Sequence, residues 1–376
     1  MAYRVILVEG NQLMLERLSG VIRSAKDFEL AARYQRAGDA LGQGSVFKPD
    51  IVLLDIDGDD NISLLEDFVT TFSAASVFCL SAKWTPADSE AISKAGARGF
   101  LIKPFTADEL QEAVATFAQT GITAGAEVIS FFSSKGKSGK TTLISNLGFA
   151  LAQKTNEQVG IIDADVQFGD MAVFLNVTPR TTILEATRDV SFLSPVTLNG
   201  YFSPVMDNLR VLCGTSRPEY AEQIEIQNFM EMITMARSMF KYILIDLPQG
   251  FNPVSIAAAE SSDVTYLTAM VNGGFEIQHM QQALEIFKAW PDYERRVKTL
   301  FTRVEPCDKE EQYKLSQSLG YPVASIIPNE YMLVSAAANN GQMAMRVQPD
   351  SMFAQTVNRL ADNIIGEKTH IRWGNP

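Results

Sequence analysis

Short apolar runs alternate with stretches of helical period along the whole chain, and that alternation restricts the fold to parallel sheets wrapped by helices. In the first third the runs are Val5 to Val8, Ile51 to Leu54, Val77 to Leu80 and Phe100 to Ile102. Runs without a polar break read as strands buried on both faces. Between them Val21, Ile22 and Ala25, and later Leu110, Ala113, Val114 and Phe117, recur at the spacing of one helix face. Residues 1–120 are therefore expected to form a doubly wound α/β domain.

The text then changes. Gln119 to Ala126 are small and flexible, and 121–126 is the expected linker. Over 127–376 the alternation restarts, with strands at Val128 to Phe132, Val159 to Ile162, Leu209 to Leu212, Tyr242 to Ile245, Val264 to Leu267 and Val297 to Phe301. Helical patterns at Thr141 to Gln153, Ile226 to Ser238, Ile277 to Phe287 and Met352 to Ile364 cover this second parallel sheet. A length of 376 residues suits two such domains.

Composition narrows the function. Net charge is −12, with 11 basic against 17 acidic residues up to position 120 and 21 against 27 beyond it. Neither part is a basic arm, so DNA is not an expected partner. Cys79, Cys213 and Cys307 lie far apart without CxxC or neighbouring histidines, which argues against disulfides, zinc or an iron–sulfur cluster. No run of about 18 apolar residues occurs, so a cytoplasmic protein without an integral membrane segment is expected. Met352, Phe353, Val357, Leu360, Ile364 and Ile365 read as a core helix, not a basic membrane-surface one. The stripe Phe229, Met230, Ile233, Met235 and Met239 likewise reads as core.

The strongest single motif follows the strand Val128 to Phe132: Ser133-Ser134-Lys135-Gly136-Lys137-Ser138-Gly139-Lys140-Thr141-Thr142, then an apolar-periodic helix. Its glycines let backbone N–H groups curl round phosphate oxygens, and the helix N-terminus adds positive potential. Gly136, Lys137, Ser138, Gly139, Lys140, Thr141 and Thr142 are the expected nucleotide-binding residues. Lys140 would reach the β/γ-phosphates and Thr141 would ligate Mg²⁺. ATP and Mg are the expected cofactors.

The additional Lys135 makes this loop resemble the deviant KGGxGKT form of the ParA/MinD ATPases. Asp163-Ala164-Asp165 and Ile243-Leu244-Ile245-Asp246-Leu247-Pro248 are similar to that family's second acidic motif and Walker B segment. The resemblance implies Mg-dependent ATP hydrolysis of low turnover, with Asp163 and Asp246 on the magnesium side and Asp165 orienting water. It also implies an ATP-sandwich homodimer, in which Lys135 crosses to the partner's nucleotide. Lys137 stands where the family has its second glycine, either supplementing phosphate binding or propping the dimer open. Thr302 stands where the family commonly has an adenine-reading Asn.

In the first domain, polar residues close the apolar runs: Glu9, Asp55, Ser81 and Lys103. With Pro49 to Asp55 and Phe100 to Phe105, they resemble the phosphoacceptor pocket of response-regulator receiver domains, which have a flavodoxin-like fold. That implies Asp55 as phosphoacceptor, with Ser81 and Lys103 sensing phosphate. The family's paired acids are here Glu9-Gly10, so half the magnesium site is missing. A phosphorylated receiver and an interaction module that keeps only the fold both remain open.

Asp163 to Asp170, Ile327-Pro328-Asn329 and Ala336 to Gln342 narrow the resemblance to the CpaE/TadZ branch, an atypical receiver fused to this ATPase. That branch implies positioning of Tad/Flp type IVb pilus assembly machinery at a cell pole, with pilus or polar landmark proteins as partners. The alternatives are a partitioning or division-site ATPase and a receiver-driven signalling protein.

Overall fold

The computed structural model describes residues 2–376 except 59–60, 84, 118–125, 216, 272–273, 306–308 and 372–376. The expected linker at 121–126 lies outside the described residues up to 125, as does Cys307. The chain divides into two units. One is Met1–Gly125 with Asp189–Gly200 and Ile233–Met239; the other is Ala126–Arg188, Tyr201–Met232 and Phe240–Pro376.

In the first unit β1 (Tyr3–Val8), β2 (Phe28–Tyr34), β3 (Ile51–Asp55), β4 (Ser76–Ser81) and β5 (Gly99–Ile102) form a sheet of order β2-β1-β3-β4-β5. Every pairing is parallel. The helix Gln12–Ser24 starts at Asn11, whose side chain accepts from the Met14 N–H, and it buries Leu15, Leu18 and Ile22. The helix Ala107–Phe117 buries Leu110, Ala113, Val114 and Phe117, the residues whose spacing marked it in the sequence.

The second unit carries β6 (Glu127–Phe132), β7 (Val159–Asp163), β8 (Ser203–Met206), β9 (Leu209–Leu212), β10 (Tyr242–Asp246), β11 (Val264–Met270), β12 (Val297–Val304) and β13 (Val323–Pro328). Their order is β13-β12-β11-β6-β10-β7-β9-β8. Among the described residues β8 alone departs from the parallel pattern: it turns back at Asp207-Asn208 and pairs antiparallel with β9. A tight turn permits no other direction, since a parallel partner needs a crossover.

The core of this unit lies between β6, β7 and β10 and two helices, Lys140–Thr155 and Met352–Ile371. Leu143, Ile144, Leu147 and Leu151 face Phe353, Val357, Leu360 and Ile364, all buried. The apolar stripe of the C-terminal helix is thus spent in the core, and at its edge Lys154 pairs with Asp362 at 2.9 Å. Among the described residues no helix is long and apolar enough to cross a membrane. Phe229, Ile233, Met235 and Met239 are also buried. Both sheets end their strands in polar residues at the carboxyl edge, where parallel sheets bind ligands.

Candidate functional site

At the carboxyl edge of the larger sheet, β6 feeds the loop 133–139 into the helix Lys140–Thr155. Lys137 takes φ +61° and Gly139 φ +78°, so the loop curls through the left-handed region twice. That is why glycine suits the position Lys137 holds: a side chain there costs about 1–2 kcal/mol. Lys140 is folded inward, 8% exposed, with its ammonium donating to Ser133 Oγ at 2.7 Å. Burial pulls its pKa below the usual lysine value against the upward pull of Asp246, Asp165 and Asp163. A desolvated cation held among carboxylates is placed to meet phosphate oxygens.

Asp163 ends β7 and Asp246 ends β10, and they are paired in register across the two strands. Burial raises the Asp163 pKa well above the carboxylate range, and Asp246 adds to the rise against N–H donors from Met171 and Asp165. Asp246 is pushed up to about 6, again by burial first, while Lys140 and the Thr141 hydroxyl pull it down. Two buried acids that resist ionising side by side are what a divalent cation would relieve. Among the described residues no three His, Cys, Asp or Glu side chains are grouped to hold a metal by themselves. Mg²⁺ binds through one or two carboxylates together with nucleotide phosphates, and Asp246 at the cavity wall with Asp163 beside it could supply them.

Gly169 packs on Asp163 so closely that a Cβ there would collide with both carboxylate oxygens, the farther 2.7 Å away. Asp165 is half-buried at the rim, its Oδ1 accepting the Phe168 N–H at 3.2 Å. A cavity of about 520 Å³ joins these residues, lined by Lys137, Lys140, Thr141, Asp165 and Asp246. A second hollow of about 220 Å³ shares Gly139, Thr142, Phe174, Arg303 and Tyr331 with it and extends to Asn329. Thr302 lines this hollow, and its hydroxyl donates to the Ser138 carbonyl at 2.6 Å, so that proton serves the loop and not a ligand. Lys135 is exposed and lines a separate cavity with Lys137, Glu276 and His279.

Of the expected residues, the structure gathers Gly136, Lys137, Ser138, Gly139, Lys140, Thr141, Thr142, Asp165 and Asp246 round one cavity. Asp163 stands directly beside them. Ser133, Arg303 and Tyr331 belong there too. Ser133 was signalled by its place immediately after β6; nothing in the local sequence marks Arg303 or Tyr331.

The first unit has its own polar cluster at the sheet edge. Lys103 Nζ lies 2.6 Å from Asp55 Oδ1 and 2.9 Å from Glu9 Oε2, and all three side chains are buried. Burial alone would lower the Lys103 pKa; the bonds to Asp55 and Glu9 outweigh it and hold the pKa above the usual lysine value. A Cβ built on Gly10 would lie 3.9 Å from Asp55 Oδ2, so the missing acid leaves space, not a clash. Ser81 closes β4 and points at Asp57, a residue the strand-end pattern did not mark.

Comparison with known proteins agrees with both halves. Residues 5–115 match the response regulator receiver domain, and residues 129–342 match the CobQ/CobB/MinD/ParA nucleotide binding domain. An uncharacterized ATP-binding protein of Methanocaldococcus jannaschii is 25% identical over 253 residues, 66% of this chain and 90% of that one. Among solved structures, a ParA family ATPase from Chlorobium tepidum TLS superposes with a TM-score of 0.58 at 21% identity, covering 62% of this chain and 98% of its own. The septum site-determining protein MinD of Pyrococcus horikoshii, complexed with Mg-ADP, superposes at 0.54 with 20% identity, covering 64% and 96%. These likenesses are of fold.

Proposed function

This chain belongs to the CobQ/CobB/MinD/ParA nucleotide-binding family, fused to a receiver domain, and from that premise we propose that it is a Mg-dependent ATPase of low turnover whose dimer positions pilus assembly machinery. The observation that carries the reading is the convergence of Lys140, Thr141 and Asp246 on one cavity, with Asp163 paired beside Asp246. Lys140 would bind the β/γ-phosphates, and Thr141, Asp246 and Asp163 would hold the cation. Asp165 at the rim orients the attacking water. Mg²⁺ bound there would supply neutralising charge to the phosphates.

Lys135 is exposed and free of the cavity's inner wall, the disposition of a residue that reaches a second copy. Residues 1–120 act as the receiver-type interaction domain and 127–376 as the ATPase. Receiver fusion and the Asp163 to Asp170 and Ala336 to Gln342 segments support the CpaE/TadZ reading, with Tad/Flp pilus proteins at a cell pole as partners. Diffuse acidity and the core-bound C-terminal helix weigh against DNA partitioning and membrane tethering. Light scattering of the full chain with ADP and with ATP plus Mg²⁺, paired with imaging of a fluorescent fusion, tests it. Doubling of mass only with ATP, and polar foci, are expected. A monomer under ATP would overturn the dimer, and diffuse fluorescence from a proven dimer would overturn the polar role.

A further inference from the structure

Asp57 lies two residues beyond the end of β3 and meets three donors of the receiver pocket, of which Asp55 also holds Lys103. Its Oδ2 accepts the Ala82 backbone N–H at 2.6 Å and lies 3.3 Å from Lys103 Nζ. Its Oδ1 accepts the Ser81 hydroxyl, whose one proton is shared with the Lys83 carbonyl at 2.9 Å. The Asp57 N–H in turn donates to Asp55 Oδ1 at 3.0 Å, which sets the two acids against each other. A hydroxyl, a backbone N–H and an ammonium converging on one point form an anion site. Here the anion belongs to the same chain.

We propose that the Asp57 carboxylate is the resident ligand of this anion site, taking the Ser81, Ala82 and Lys103 donors that a phosphoryl group on Asp55 would need. Exposure fits this arrangement. The side chains of Lys103, Glu9 and Asp55 are 7%, 2% and 5% exposed, whereas Asp57 is 37% exposed and forms the solvent-facing wall. An external anion therefore meets Asp57 first. Charge points the same way: among the described residues, Glu9, Asp55 and Asp57 set three carboxylates against one ammonium, that of Lys103. A phosphoryl group adds a charge of about −1.5 to −2. Gly10 contributes no ligand to a metal that would offset it. The receiver thus presents one arrangement of Ser81 and its strand end, fixed by sequence and not by a phosphodonor. This inference concerns the first unit alone and stands whether or not the ATPase reading does.

Beryllofluoride, a tetrahedral mimic of an aspartyl phosphoryl group, provides the test by ¹⁹F NMR with Mg²⁺ on the full chain. The signal is assigned to the receiver by its loss in Asp55→Asn. Four proteins are compared: the parent, Asp57→Ala, Gly10→Asp, and Gly10→Asp with Asp57→Ala. The parent and Gly10→Asp should stay unoccupied, and the double variant should bind at least tenfold more than Gly10→Asp. If Gly10→Asp alone binds as well as the double variant, the missing metal ligand is the whole cause and the proposal fails; it fails equally if neither binds. A second measurement does not depend on the added acid. In the parent the Ala82 amide, donating at 2.6 Å to a carboxylate, should resonate downfield and exchange slowly, and Asp57→Asn should move it upfield with at least tenfold faster exchange. An unmoved Ala82 amide would overturn the assignment.

Discussion

Thr141 donates its hydroxyl to Asp246 Oδ2 across 2.5 Å, tying the first turn of the phosphate-loop helix to the carboxyl end of β10. Lys140, one residue earlier, turns the other way to Ser133. Adjacent residues on one helical turn thus reach two different walls of the same cavity, β10 and the start of the phosphate loop. Replacing Lys140 by Ala removes the desolvated cation while leaving the apolar face of the helix untouched. ATP affinity should fall at least 100-fold by calorimetry with the melting temperature little changed. Parent affinity in a folded Lys140→Ala variant would show that phosphates bind elsewhere.

Asp246 makes the site pH-sensitive in a direction opposite to most carboxylates. Its pKa is raised from 3.8 to about 6, so the protonated form is favoured in the folded chain. Stability from this residue is full below pH 3.8 and is lost as pH rises through about 6, by up to about 3 kcal/mol at ~1.4 kcal/mol per pH unit. Without nucleotide or metal, the parent should therefore lose stability relative to Asp246→Asn between pH 4 and 7. Mg-ADP should stabilise the parent more at pH 7.5 than at pH 5.5, since the cation needs the ionised acid. Thermal melts at both pH values, with and without Mg-ADP, measure it; a pH-independent difference from Asp246→Asn would rule it out.

Gly169 acts on the same site through Asp163. A methyl group added there overlaps the Asp163 carboxylate, which lies at 1% exposure with little room to retreat. Gly169→Ala should weaken Mg-ATP binding about tenfold or more and affect Mg-free binding much less. Equal losses with and without Mg²⁺ would place the damage in the loop fold instead.

How much of this was legible in the sequence depended on burial. The central strands β1, β3, β4, β6, β7 and β10 are nearly unbroken apolar runs because both faces are covered, and each was readable. The strands not foreseen were β2, β8 and β13, all at sheet edges. In β2, Phe28–Tyr34, exposed Glu29 and Arg33 interrupt the run, and Ser203–Met206 and Val323–Pro328 carry prolines that edges tolerate. At the sites, residues inside strand-end motifs were visible, because spacing alone places them. Asp57, Arg303 and Tyr331 were not: Asp57 lies in the loop after β3, Arg303 near the end of β12 and Tyr331 at the start of the helix Tyr331–Asn339, and no spacing marks any of them as a site residue. Thr302 shows the difference within one residue: its position at the end of a strand could be read, whereas the bond from its hydroxyl to Ser138 depends on how the phosphate loop folds back over β12.

If the proposed roles hold, Asp165 and Lys135 should separate hydrolysis from assembly, because Asp165 lines the larger cavity and Lys135 only the adjoining one. Asp165 is half-buried, its Oδ1 accepts the Phe168 N–H, and it lines the cavity without belonging to the hydrophobic core. Its loss should spare binding and slow only the chemical step. Asp165→Ala is expected to bind ATP at parent affinity, to remain dimeric with ATP, and to hydrolyse at least tenfold more slowly. Lys135→Ala should bind ATP within a few-fold of the parent, because Lys140 supplies the buried cation in cis, yet stay monomeric and hydrolyse slowly for want of the partner's charge. If two copies of the receiver surface are needed to hold a multivalent polar target, avidity makes the two variants differ again in cells. A fluorescent Asp165→Ala fusion should form persistent polar foci, and Lys135→Ala should be diffuse. Polar foci from a Lys135→Ala protein shown by light scattering to be monomeric would mean that localisation does not pass through the dimer.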